Sequence, residues 1–311
     1  MVNTVLGPIS PDALGVTLGH EHIFVGSGDF ARAFGDRWYN REALIELAVT
    51  RLTEAKERFG LSTVFDGTPV DLGRDVGMLV EVSRRSGVNI VASTGLYWDD
   101  RSFMSGKKPE ELARFFIDEC TRGMENTYLT AQPVLPGLLK CATDHPGLTS
   151  INALSIETMG IVQRETHLPL YAHNAHRHQT APAQLDVLER AGADLTHVIV
   201  GHTSDTQDVD YLTSLLARGV YIGFDRIYAR EDQADTLCRL LDRGYGDRIL
   251  LSRDGAAFLD FGDRTYASEL EKNVNTFLVV LGPFCELLRA RGVSQAELDR
   301  MLIENPARLF R

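Results

Sequence analysis

His20 and His22 stand two residues apart in the apolar run Val16-Thr17-Leu18-Gly19-His20-Glu21-His22-Ile23-Phe24-Val25, which reads as a β-strand. Side chains alternate along a strand, so both imidazoles point to the same side. Four further groups sit at the ends of short apolar runs: Lys140, His173, His202 and Asp254. A His-x-His pair alone is more often incidental than metal-binding. His173 and His202 change the balance, because each ends a different strand and would converge on one rim. Four neutral imidazoles and a carboxylate suit divalent transition metals, Zn²⁺ first, with Mn²⁺, Co²⁺ or Fe²⁺ also matched to the set. Two such ions in a barrel mouth point to hydrolysis.

Lys140 is the odd member. A lysine after an apolar strand ordinarily snorkels toward solvent. Aimed at metal cations, an ammonium would be repelled. A desolvated lysine loses its proton readily, and the neutral amine can add CO₂ to become a carbamate with two oxygens able to bridge two metals.

The elements that would position these groups alternate along the chain. Strands are expected at 16–25, 62–66, 88–93, 137–140, 169–173, 197–202, 220–225 and 249–254. Helices are expected at about 41–59, 74–85, 109–123, 150–166, 183–191, 209–218 and 232–243, the first capped by Asn40 and stopped by Gly60. The strands are short and apolar throughout, as parallel strands buried on both faces should be. Eight such units predict an α/β fold, a single (β/α)₈ TIM barrel over residues 1–311 with its site at the C-terminal ends of the strands. A doubly wound open sheet is the alternative. Against it, no G-x-G-x-x-G follows the first strand, and the polar residues end several different strands.

Composition limits the partners. The formal charge is −11 and no Lys/Arg-rich run appears, which argues against nucleic acid. No apolar stretch approaches the ~18 residues of a spanning helix, and the first residues do not read as a signal peptide. Cys120, Cys141, Cys238 and Cys285 are scattered without a C-x-x-C pair, so the expectation is a cytoplasmic protein with reduced thiols and no membrane partner.

Six segments in order carry a resemblance to a known family. They are Gly15-Val16-Thr17-Leu18-Gly19-His20-Glu21-His22, Ala92-Ser93-Thr94-Gly95-Leu96-Tyr97, Gly137-Leu138-Leu139-Lys140-Cys141-Ala142-Thr143, Gly201-His202-Thr203-Ser204-Asp205-Thr206, Gly223-Phe224-Asp225-Arg226 and Asn305-Pro306-Ala307-Arg308-Leu309-Phe310. Across almost the whole chain they resemble the phosphotriesterase-like branch of the amidohydrolase superfamily, which includes the phosphotriesterase-like lactonases. The resemblance implies that His20, His22 and Asp254 hold a buried metal and that His173 and His202 hold a more exposed one. Carboxylated Lys140 and a hydroxide would bridge the two. Asp254 would also accept the nucleophile's proton, and Asp205 matches a position suited to passing it on. From the sequence alone, Asp205 is equally a cap for the next helix. Arg226 stands where phosphotriesterases carry His and lactonase-like members often carry Arg. Tyr97 matches a tyrosine that such members place near the hydroxide. Both imply substrate contacts and favour a lactone or carboxylic ester.

The expected activity is therefore hydrolysis of a small lactone or ester by a binuclear metal centre, with side activity on organophosphates. A dedicated phosphotriesterase, an amide hydrolase and a non-catalytic ligand-binding barrel are the alternatives. The loops after the last two strands mix aromatics with charges, unlike the continuous apolar channel a long acyl chain wants. A small or anionic substrate follows, with Arg226, Arg230 or Arg264 as anion contacts. His176 and His178 read as solvated loop residues, and Cys141 as packing outside the barrel. The sequence leaves the oligomeric state open; members of the family are often dimers, so the resemblance admits a homodimer.

Overall fold

The computed structural model describes residues 1–98, 104–145, 147–260 and 275–311, apart from the side chain of His178. A short antiparallel hairpin, β1 (Val2–Thr4) and β2 (Gly7–Ile9), opens the chain. The parallel sheet follows as β3 (Val16–Val25), β4 (Leu61–Asp66), β5 (Asn89–Gly95), β6 (Leu138–Ala142), β7 (Leu170–His173), β8 (Val198–Val200), β9 (Tyr221–Phe224), β10 (Ile249–Leu251) and β11 (Ala256–Leu259). Its order is β10-β9-β8-β7-β6-β5-β4-β3-β11. The sheet curls into a (β/α)₈ barrel.

One side chain from each of seven successive strands forms the inner layer: Phe65, Val91, Leu138, Tyr171, Ile199, Tyr221 and Leu250. Their neighbours in sequence face outward. In β6, for example, Leu139 and Cys141 join the helix-facing core while Leu138 points inward. Period-two alternation therefore aims Lys140 and His173 into the barrel mouth.

The outer layer includes α1 (Gly28–Phe34), α2 (Arg41–Phe59), α3 (Val76–Ser86), α4 (Pro109–Arg122), α5 (Ser150–Thr166), α6 (Ala181–Arg190), α7 (Val209–Leu216) and α8 (Glu231–Asp242). Helix α2 shows why these residues fold so. The Asn40 side chain accepts from Ala43 N at its start, and Gly60 ends it at φ 72°. Between them Leu44, Ile45, Ala48, Leu52 and Ala55 share one buried face. Helix α3 begins two residues later than the sequence suggests. Asp75 caps it by accepting from Met78 N, and Arg74 is drawn inward to Glu119 and Glu125.

Besides a register shift at Val16/Thr17, two irregularities that lie at the site break the strand pattern. The β3–β4 register slips between Leu18 and Glu21, so β3 carries one extra residue. As a result Gly19 and His20 both face inward. The eighth expected strand, 249–254, is instead divided into β10 and β11 around Asp254, which has φ 53°. No helix among the described residues is long and apolar enough to cross a membrane.

Candidate metal centre

His20 and His22 extend from the bulged stretch of β3, their ring centroids 5.1 Å apart. Glu21 between them turns the other way and is fully buried. Its carboxylate accepts from Arg253 N and Gly255 N, both at 2.8 Å. Asp254 N donates to His20 O and His22 N donates to Gly255 O, closing the barrel at this point. The His-x-His segment thus fixes the break in strand eight that presents Asp254. Asp254 Oδ1 lies 3.3 Å from His22 Nε2 and 3.7 Å from His20 Nδ1.

Lys140 is 1% exposed and faces the barrel interior, not solvent. Its Nζ lies 2.9 Å from His20 Nε2 and 4.2 Å from the centroid of the Tyr171 ring, its neighbour across β6 and β7. Burial outweighs the carboxylates of Asp254 and Asp225 and lowers its pKa to about 8. A neutral amine, the form that can add CO₂, is therefore accessible near neutral pH.

His173 ends β7, and His202 follows β8 in a left-handed conformation, φ 61°. Their rings meet, His202 Nε2 to His173 Nδ1 at 2.7 Å. Burial lowers His173 to about 4 and holds His20 and His202 well below the ordinary histidine range. All three imidazoles are neutral at pH 7, the state that offers a lone pair.

Asp225, at the end of β9, organises two of these rings. It is fully buried. Oδ1 accepts from His202 N at 2.9 Å and pairs with His202 Nδ1 at 2.7 Å; Oδ2 pairs with His20 Nδ1 at 3.1 Å and accepts from Tyr171 Oη. The carboxylate thereby assigns the proton to Nδ1 of both rings and leaves both Nε2 atoms as donors of electron pairs. Outside this group, Asp144 Oδ2 lies 3.0 Å from His173 Nε2, and Thr68 Oγ1 lies 2.8 Å from His22 Nδ1.

The mouth is a cavity of about 650 Å³ with Lys140, His22, His173 and Asp254 at its floor and Tyr97, Tyr228 and Leu259 among its walls. Arg226 Nε donates to Asp254 Oδ2 at 3.0 Å and its Nη1 to Asp205 Oδ2 at 2.9 Å. Burial disfavours the Asp254 carboxylate, but the surrounding imidazoles and Arg226 override it and hold the group well below the usual carboxylate range. Asp205 is raised, chiefly by burial. Asp205 does not cap α7; Asp208 does, accepting from Tyr211 N. The Tyr97 ring lies edge-on to His173 with centroids 5.0 Å apart.

The residues singled out in the sequence therefore converge. His20, His22, Lys140, His173, His202 and Asp254 share one buried cluster, and Tyr97, Asp205 and Arg226 border it. Asp225, Glu21, Tyr171 and Asp144 were not among them. A carboxylate closing a strand, as Asp225 does, was the available signal. His176 corrects the expectation of a solvated loop residue. It is buried, with Nε2 2.6 Å from Gly201 O. The side chain of His178, and Arg264 altogether, lie outside the described residues. Cys141 packs outside the barrel as expected, where Gln184 Nε2 donates to its sulfur.

The donor set fits divalent cations. The ligand atoms of His20, His22 and Asp254 all lie within 4.8 Å of one another. Gly67 leaves room beside them, since a Cβ there would lie 2.5 Å from His20 Nε2 and 3.3 Å from Lys140 Nζ.

Known proteins share this fold and much of this sequence. The model of the phosphotriesterase family matches residues 1–310. The solved phosphotriesterase of Mycobacterium tuberculosis superposes with a TM-score of 0.90 at 30% identity, covering 100% of this chain and 98% of that one. An aryldialkylphosphatase of Saccharolobus solfataricus is 30% identical over 96% of this chain and 95% of its own length. An N-acetyltaurine hydrolase of Xenopus tropicalis is 26% identical over 98% of this chain and 96% of its own.

Proposed function

This chain belongs to the phosphotriesterase family and is a hydrolase, and from that premise we propose that it opens a lactone or carboxylic ester at a centre of two divalent cations. His20, His22 and Asp254 would hold one ion, His173 and His202 the other, with carboxylated Lys140 between them. We read residues 1–311 as one domain in a cytoplasmic protein; the four free cysteines support that setting. When bound, the cations would polarise the substrate carbonyl and make a water nucleophilic near neutral pH.

The chain's own residues supply the rest. Asp254 Oδ1 is the base that takes the water's proton, and Arg226 keeps its other oxygen in place. Arg226 also joins Asp254 to Asp205, which stands nearer solvent and offers the proton a way out. Tyr97 and Arg226 border the carbonyl's place and orient it. Asp225 holds His20 and His202 in one tautomer throughout. The observation that carries this reading is the meeting of four imidazoles, a lysine of lowered pKa and an ionised Asp254 in one cluster, of which His22, His173, Lys140 and Asp254 line the cavity.

Amide hydrolysis is the second reading, favoured by the likeness to an N-acetyltaurine hydrolase along nearly the whole chain. Phosphotriester cleavage is the third, supported by the aryldialkylphosphatase but opposed by Arg226 where phosphotriesterases carry His. The test is elemental analysis of protein purified without chelator, alongside a screen of lactones, amides and phosphotriesters. About two transition metals per chain with lactone turnover supports the proposal. Metal-free, inactive protein after reconstitution with Zn²⁺ and bicarbonate would overturn it.

A further inference from the structure

A second cavity of about 580 Å³ adjoins the metal centre and shares Asp144, His145, Asp205 and Arg226 with it. Arg177 and Arg230 complete its charged lining. The lining sets three arginines against two acids. Asp205 is bound by Arg226, and Asp144 Oδ2 lies 3.0 Å from His173 Nε2. Arg226 in turn is committed to Asp205 and Asp254. Arg230 lies over the Tyr228 ring and pairs with Asp232, an exposed ion pair that contributes little. Arg177 forms no ion pair with any described residue. The wall therefore carries unspent positive charge beside the reacting centre, in a protein whose formal charge is −11. Such charge, facing a polar cavity, recognises an anion.

We infer that this annex binds a fixed anion on the substrate, so that the native substrate is a lactone or amide with a sulfonate, phosphate or carboxylate a few atoms from its carbonyl. The inference rests on the hydrolase reading above. With the carbonyl at Asp254, the anionic tail lies against Arg177 and Arg230. Arg226, on the shared wall, separates the two parts and bears on both. A long neutral acyl tail finds no matching surface here, because the annex is lined almost entirely by polar groups.

The test uses the metal-loaded enzyme and two γ-lactones of equal length, one ending in a sulfonate and one in a methyl group. The parent enzyme should favour the sulfonate in kcat/KM by about tenfold or more, the worth of one charge-assisted hydrogen bond. The double variant Arg177→Ala/Arg230→Ala should bring the ratio near one, through KM, and added salt should do the same in the parent. Lactone turnover with no anion preference, or a preference the double variant retains, would overturn the annex and leave the hydrolase reading standing. Failure to open either lactone would count against the hydrolase reading alone. Calorimetric titration with 2-acetamidoethanesulfonate then decides the annex: binding lost in the double variant supports it, and no binding to the parent overturns it.

Discussion

Replacing Asp225 with Asn preserves the side chain's shape and removes one acceptor from the centre of the site. The two carboxylate oxygens now meet four donor groups: His202 N, His202 Nδ1, His20 Nδ1 and Tyr171 Oη. An amide offers one oxygen and one NH₂. Whichever way it faces, at least one imidazole Nδ1–H would confront another donor. The loss of a bond to an ionised acceptor is worth about 1.5–3 kcal/mol, and a buried unmatched donor adds about 1–3 kcal/mol. Part is recovered if the ring takes its other tautomer and gives up the Nε2 lone pair. Metal affinity should then fall about 10–100-fold, the usual cost of losing a carboxylate that orients a ligating histidine. Competition between the protein and a chelator of known affinity measures this, with thermal unfolding alongside. An Asp225→Asn protein that binds both metals as tightly as the parent and unfolds at the same temperature would refute the argument.

Gly67→Ala should empty the site without unfolding the barrel, because its Cβ would press on His20 Nε2 and Lys140 Nζ; elemental analysis with circular dichroism checks it. Glu21→Gln should loosen the chain around Asp254 by setting an NH₂ against the amide of Arg253 or Gly255, costing about 1–3 kcal/mol in denaturant unfolding and lowering kcat. Arg74→Met should cost about 3–5 kcal/mol in thermal unfolding, since the guanidinium is buried against Glu119 and Glu125 and its loss strands both carboxylates.

Residues that obey a period were legible in the sequence. The placement of Lys140, His173 and the His20/His22 pair on one rim follows from strand alternation, and α2 from apolar residues that recur at helical spacing between Asn40 and Gly60. Asp254 stands out as a candidate even though β10 ends at Leu251, since a carboxylate after an apolar run is visible whether or not the run is broken. Asp225 belongs to the same class and was passed over, because the next residue, Arg226, drew the chemical argument. Glu21 could not have been read. Its partners, the amides of Arg253 and Gly255, are more than 230 residues away, and only closure of the barrel brings them together. His176 misled for a similar reason: its acceptor, Gly201 O, belongs to the turn after another strand.

The backbone offers a reason why the site resists local reading. Of the non-glycine residues with positive φ, three lie at the cluster: His202 at 61°, Arg226 at 55° and Asp254 at 53°. Each departs from the ordinary regions at a cost of about 1–3 kcal/mol, and such conformations persist only where the surroundings fix them. Here they do. His202 N is held by Asp225, Asp254 N by His20 O between the two amides bound to Glu21, and Arg226 O by Gln233 Nε2. In each case a strand has ended two or three residues earlier, so strand alternation no longer sets the direction of the side chain. The barrel supplies the coarse convergence, and these three steps bring the rings and carboxylates into contact. Their fixing groups are buried and polar, so a substitution that spares every proposed ligand but removes Asp225, Glu21 or Gln233 bears on the cluster itself.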